Sequence, residues 1–314
     1  MSVFNIHHVT KYEYDRPVKE SVNEIKIYPF NSPLQHVLYH EINISGSPDV
    51  MIANDYWGNR SGMFNLMPSH TELVIESKLG VRHRLPEQDV KNFCGSFDQL
   101  HDEVKKDFWL LELSGSEKNH LQDEINMISE EVKISQTVMQ VVENCSHFIF
   151  KNFQYVKGIT TIESTVEEIL DHRSGVCQDF AHVMREELRH LQIPGRYVSG
   201  YICPNKDGMR GEGATHAWVE AWIPSYGWAG IDPTNDVWVT NRHVKLAVGR
   251  NFNDCSPVKG TFKGPARQSL SVYVSVGYED GHTFEEISKV KMKKQGEESE
   301  DTEISEILAG QQQQ

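Results

Sequence analysis

No two cysteines in this 314-residue chain are spaced C-x-x-C; the five lie singly at positions 94, 145, 177, 203 and 255. An odd number so widely separated excludes a disulfide framework and a structural zinc ribbon, and leaves free thiols. Long apolar runs are also missing. Nothing approaches the roughly 18 apolar residues of a membrane span, and the opening MSVFNIHHVTKYEY has neither the basic nor the apolar segment of a secretory leader. A cytoplasmic protein that does not engage the membrane is therefore expected. Positive charge is scarce too: the net charge is -14, and the basic residues form no stripe, which speaks against nucleic acid as a partner. The acidic groups are scattered, with no twelve-residue calcium loop, so no metal and no cofactor are expected.

What is present suffices for a sizeable core, since 38% of the residues are hydrophobic. Residues 3–14 alternate, with His8, Thr10, Tyr12 and Tyr14 on one side of an extended strand, and the alternation resumes at 23–28 with Ile25 and Ile27. Strands at 36–44 and 71–78 follow, and Gly58-Asn59 suits a tight hairpin turn. Residues 1–90 thus read as a β-rich domain and the polar, acidic 91–132 as a connecting region. A third unit covers 133–290: a helix over 134–151 with Cys145 on its apolar stripe, a helix opened by a Ser164/Glu167 capping box, strands at 197–202, 214–223 and 227–235, and a strand at 269–277 that closes the core. The tail, 291–314, includes the charge run EESEDTE and is expected to be disordered. No internal repeat is visible, and no oligomeric state is implied.

Within HRSGVCQDFAHVMREELRHL, residues 172–191, the apolar positions Cys177, Ala181, Met184, Leu188 and Leu191 recur at steps of four and three after Gly175. Cys177 therefore falls in the first turn of an amphipathic helix. The unpaired N–H groups and dipole of a helix N-terminus favour thiolate, the nucleophilic form, so Cys177 is the most readily activated of the five; a cysteine simply packed under Gly175 is the competing reading. A base is available in THAWVEAW, where alternation sets His216, Trp218, Glu220 and Trp222 on one face of a strand and Ala217, Val219, Ala221 and Ile223 on the other. Sixteen residues later Asp232 ends GWAGIDPT, and Pro233 stops the strand. Two antiparallel strands joined by the turn at 224–227 would bring His216 and Asp232 side by side.

The succession GVCQDFAH, THAWVE (215–220) and WAGIDPT (228–234) resembles the transglutaminase-like superfamily, and H-x-T-x-Y-x-Y at 8–14 with Pro17-Val18 resembles the β-rich region that precedes the core of its bacterial members. The resemblance spans roughly residues 1–280. It implies an α+β protein in which a β-sandwich-like domain precedes a papain-related core, a helix packed on an antiparallel sheet. It also implies that Cys177 is the nucleophile, His216 the base and Asp232 the group that orients the imidazole. Gln178-Asp179 stand where vertebrate cross-linking members commonly carry a tryptophan after the cysteine.

Oxyanion donors are sought in the backbone N–H of Cys177 and the phenol of Tyr155. Trp218 and Trp222 are candidates for a groove wall or for core, and Asp179 with His182 offers too few ligands for a metal. The expected substrate is a peptide or protein amide, attacked to give a thioester that water resolves. Lysine, with a reference pKa near 10.4, is only about one part in 2,500 neutral at pH 7, so transfer to an amine needs a site that excludes water, and none is specified. Acyl transfer, or an inactive peptide-binding module, are the alternatives.

Overall fold

The computed structural model describes residues 2–84, 89–93, 95–115, 128, 137–161, 164–203, 209–210, 215–278, 283–291 and 304–308. The chain opens with β1 (Ser2–Ile25), β2 (Gln35–Ile44), β3 (Met51–Asn54), β4 (Arg60–Leu66) and β5 (His70–His83). Helices α1 (Phe97–Val104), α2 (Phe108–Ser114) and α3 (Val138–Asn152) follow, then β6 (Gln154–Tyr155), α4 (Val166–His172), β7 (Ser174–Gly175) and α5 (Cys177–His190). Next come β8 (Gly195–Ile202), β9 (Thr215–Ile223), β10 (Gly227–Asp232), β11 (Val237–Trp238), β12 (His243–Gly249) and α6 (Phe252–Cys255). The last strands are β13 (Val258–Lys263), β14 (Gln268–Tyr278), β15 (Thr283–Lys291) and β16 (Ile304–Leu308). The class is α+β, as expected. Among the described residues no helix is long and apolar enough to cross a membrane.

The two strands expected at 3–14 and 23–28 begin as one. β1 runs unbroken for 24 residues and changes partners midway: Ser2–Glu13 pair with β5 and Phe4–Tyr14 with β14, whereas Ser21–Ile25 pair with β4 and Val22–Ile25 with β13. The switch is marked by ladder irregularities between Glu13 and Val18 and between Lys19 and Val22, and it encloses Pro17, which has no N–H to give a ladder. One strand so shared makes two curled antiparallel layers. His8, Thr10, Tyr12 and Tyr14 do face one side and are buried, and Ile6, Val18, Ile25, Leu73, Ile75, Phe262, Leu270 and Val274 fill the space between the layers.

The strand expected to close the catalytic core at 269–277 closes the N-terminal sandwich instead, as β14 against β1. Alternation announces a strand without naming its partner, and the free edge of β1 is what needs covering. Within the tail, Ile304–Leu308 pair with β13; 292–303 and 309–314 lie outside the described residues. The region 91–132 holds α1 and α2, and Leu100, Val104 and Leu110 join the helix-side core, so these helices are part of it and not a loose connection.

The five-stranded antiparallel sheet runs β11-β10-β9-β8-β12. Ala217, Val219, Ala221 and Ile223 point into a core shared with Val141, Cys145 and Ile149 of α3 and Phe180, Ala181, Met184 and Leu188 of α5. Across the sheet, Tyr201, Val244 and Leu246 pack into the sandwich core. α4 starts one residue later than expected: Thr165 and Glu168 form the reciprocal cap, while the Ser164 hydroxyl accepts from the Thr161 N–H at 2.9 Å.

Candidate active site

Cys177 occupies the first position of α5, where the helix itself supplies no acceptor for an N–H. Asp179 builds this start. Its Oδ2 accepts the Val176 N–H at 2.7 Å and the Thr160 hydroxyl at 2.6 Å, tying the helix to the preceding loop. Burial pushes the Asp179 carboxyl up, and these two donors oppose it. Gly175 is required by close approach, because a Cβ there would lie 2.4 Å from Asp179 Oδ2 and 2.8 Å from Asp179 Cβ. Tyr155 is brought alongside: β6 pairs in parallel with β7, setting Tyr155 opposite Gly175, and the Val156 N–H donates to the Gly175 carbonyl at 2.9 Å. His182, the other member of the weighed Asp179 pair, turns away and accepts the Phe252 N–H at 3.1 Å.

His216 lies near the start of β9, and Asp232 ends β10. Their ladder's last pair is Val219 with Ile231, so Asp232 lies just past it and reaches His216 diagonally, with Nε2 and Oδ2 2.8 Å apart. Strand alternation and the turn at 224–227 thus do what the sequence suggested. The turn that follows holds the carboxylate from behind: Oδ1 accepts the Thr234 N–H at 2.9 Å, and Oδ2 accepts Asn235 Nδ2 at 2.7 Å. A further donor escaped the sequence reading. His243, at the start of β12, places Nε2 3.3 Å from the same Oδ2. Nothing local distinguishes His243 among 15 histidines; only the sheet order, which folds β12 back beside β8, brings it in. Asn235 carried a faint signal, since D-P-T-N is turn chemistry.

The cluster is closed off, with Cys177 1% exposed and His216 and Asp232 0%. Burial alone pulls the His216 imidazolium down, but the Asp232 charge, the Cys177 sulfur and their hydrogen bonds prevail and bring it up to about 10. Burial works against the Asp232 carboxylate too, and the His216 charge together with its donors holds it far below the ordinary range. With Nε2 turned to Asp232, the imidazole has Nδ1 for the sulfur. For His243 burial wins over Asp232, and the ring is pushed down and neutral.

The donor atoms of His216, Asp232 and His243 lie within 4.8 Å of one another, a spacing that a metal ion could use. Each imidazole Nε2 is, however, spent on Asp232 Oδ2, and a metal would have to displace the hydrogen bond that orients His216. The group is a hydrogen-bonded cluster by its donor geometry. Trp218 is core and packs against both histidines, with ring centroids 6.4 Å from His216 and 5.3 Å from His243. Trp222 is half-buried and donates Nε1 to Glu103 at 2.6 Å.

The other described cysteines are ordinary core. Burial pushes the thiols of Cys145, Cys203 and Cys255 up, and at Cys145 the neighbouring Glu187 carboxyl adds to it. Cys94 lies outside the described residues.

Residues 126–233 match the family described as the transglutaminase-like superfamily, and residues 4–82 match the bacterial transglutaminase-like N-terminal region. An uncharacterised protein of Mycobacterium leprae is 30% identical over 272 residues, 86% of this chain and 96% of its own length. A protein-glutamine gamma-glutamyltransferase of Pseudomonas aeruginosa is 39% identical over 74 residues, 22% of this chain and 11% of its own. In three dimensions the chain is similar to a candidate cysteine protease of Cytophaga hutchinsonii, with a TM-score of 0.70, 20% identity, and coverage of 93% of this chain and 92% of the other.

Proposed function

The chain belongs to the transglutaminase-like superfamily, and we propose that it hydrolyses a peptide or protein amide through a thioester on Cys177. The observation that carries this proposal is a buried His216 drawn up to about 10, hydrogen-bonded to Asp232 on one side and facing the Cys177 sulfur on the other. The sulfur, the imidazole and the carboxylate are thus in line for a proton to pass from Cys177 to His216 as the sulfur attacks.

In the proposed reaction the sulfur bonds to the carbonyl carbon and the C=O electron pair moves to oxygen. The oxyanion meets the Cys177 N–H at the helix start, with the Tyr155 hydroxyl as a second donor. Collapse breaks the C–N bond, and the leaving nitrogen takes the proton from His216. Water then attacks the thioester, gives its proton to His216, and the C–S bond breaks to release a carboxylic acid. Asp232 keeps the ring oriented in both halves.

The similarity to the gamma-glutamyltransferase favours a second reading, in which an amine resolves the same thioester. One experiment tests both. The protein is incubated with a glutamine-containing peptide and a millimolar primary amine, quenched in acid, and Cys177 is mapped by mass spectrometry. An acyl adduct on Cys177 with carboxylic acid as the main product supports hydrolysis. Dominant amide product selects transfer, and absence of any Cys177 adduct from wild type, with and without the amine, rejects the thioester.

A further inference from the structure

We propose that His243 is a positioning residue for Asp232, a fixed N–H donor from β12 that holds the carboxylate in the orientation His216 requires. The inference rests on the thiol chemistry proposed above and adds to it a residue outside the three-part motif. The geometry is specific. His243 Nε2 lies 3.3 Å from Asp232 Oδ2, the oxygen that also takes His216 Nε2 at 2.8 Å. The other ring nitrogen, Nδ1, faces the Thr240 N–H at 3.3 Å, nearer than the Thr240 hydroxyl at 3.5 Å. A neutral imidazole has one donor and one acceptor, so the nearer N–H donor at Nδ1 and the carboxylate at Nε2 both favour the proton on Nε2, toward Asp232.

The surroundings keep the ring neutral. Cys177 from α5, Asp232 from β10 and His216 from β9 lie on the site side, while His83 from β5 and Lys245 of β12 lie beyond. Burial pushes His243 down, as it does His83. A neutral donor adds a hydrogen bond to the buried carboxylate without a competing positive charge, which would weaken the hold of Asp232 on imidazolium.

The mount of this donor comes from the N-terminal sandwich. The Gln35 side chain pairs with Lys245 as a strand residue would, accepting its N–H at 2.8 Å and donating to its carbonyl at 2.8 Å, and Asn241 donates to the Ser2 hydroxyl at 2.6 Å. His243 lies between these two anchors. The sandwich thereby fixes one wall of the cluster, which gives the N-terminal domain a part in the chemistry.

The test compares wild type, His243→Gln and His243→Leu, each shown folded by its thermal transition and near-ultraviolet dichroism. Glutamine keeps an N–H donor at about the reach of Nε2; leucine fills the space without one. The rate of Cys177 alkylation by iodoacetamide at pH 6.5 is expected to fall about tenfold to a hundredfold in His243→Leu, the worth of one hydrogen bond to a charged group, and to stay within about threefold of wild type in His243→Gln. In 15N-histidine-labelled wild type, His243 is expected as the Nε2–H tautomer at pH 7. A leucine variant as fast as wild type, a glutamine variant as slow as leucine, or an Nδ1–H or doubly protonated His243 overturns the assignment. Wild-type Cys177 no more reactive than Cys145, Cys203 and Cys255 would instead sink the thiol chemistry itself, and the positioning role with it.

Discussion

In the N-terminal sandwich burial drives His8, His40 and His83 down to about 4, whereas His216 in the five-stranded sheet is held up at about 10. All four are withdrawn from solvent; their partners differ. His8 meets the Tyr201 hydroxyl at 2.7 Å and His40 the Ser77 hydroxyl at 2.9 Å, and neither group repays a buried positive charge. His216 meets a carboxylate that Thr234, Asn235 and His243 also hold by hydrogen bonds. A buried imidazole is thus charged only where an anion has been installed beside it, and the anion persists only where enough donors surround it.

Removing the members of the cluster breaks this contrast most severely. In the proposed chemistry Cys177→Ala deletes the bond-forming atom and His216→Ala the proton carrier, and each is expected to reduce amide turnover to background. Asp232→Ala leaves both in place and frees the ring to rotate, so on the order of tenfold to a hundredfold more activity should survive than in the other two. Turnover of one common amide substrate, by variants with an unchanged thermal transition, checks the ranking. An Asp232→Ala variant with wild-type turnover means that the anion beside His216 is irrelevant to the chemistry.

The helix start is the next target. Gly175→Ala drives a methyl group into Asp179, which must shift and loosen the cap that places Cys177. A loss of about 1–3 kcal/mol is expected by denaturant unfolding, with a fall in Cys177 reactivity. Wild-type stability in this variant would show that the cap is dispensable.

Acid sharpens the comparison from the sandwich side. His8 has a folded value near 4, below its unfolded value near 6.5, so the unfolded chain takes up the proton first. The stability it contributes is present above about pH 6.5 and is lost as pH falls toward 4, on the order of 3 kcal/mol in all. Thermal transitions between pH 7.5 and 4.5 should fall less steeply in His8→Gln than in wild type. Parallel curves would mean that His8 is not held neutral.

Glu187, ten residues along α5 from Cys177, supplies the smallest effect. It is wholly buried beside Cys145, and burial pushes its carboxyl well up. Its folded value exceeds its unfolded one, so the stability it contributes is complete below about pH 4.5 and is lost as pH rises toward the folded value. Glu187→Gln should therefore be more stable than wild type at pH 8, with the gap closing in acid. A variant less stable at pH 8 would show that Glu187 is ionised and paired.

Much of the site was legible because local pattern encodes it. Steps of four and three put Cys177 at a helix start, and alternation with a turn put His216 near Asp232. The fold was legible by class and by element, less so by partnership. The strand at 269–277 reads the same whether it pairs with β10 or β1, and only the unpaired edge of β1 decides. His243 was illegible for the same reason: it reaches Asp232 through the order of strands in a sheet, which no window of sequence carries. Asp179 stands in the first turn of a helix that the sequence announces, but its grip on Thr160 spans 19 residues and has no local signature.

Selective alkylation tests the central claim most directly. Wild-type protein is treated with limiting iodoacetamide at pH 6, digested, and the label at each cysteine is followed in time by mass spectrometry. The proposed pairing of Cys177 with His216 predicts that Cys177 is labelled well before Cys94, Cys145, Cys203 and Cys255, and that His216→Ala abolishes the preference. Equal rates at all five, or a Cys177 preference that survives His216→Ala, would contradict it.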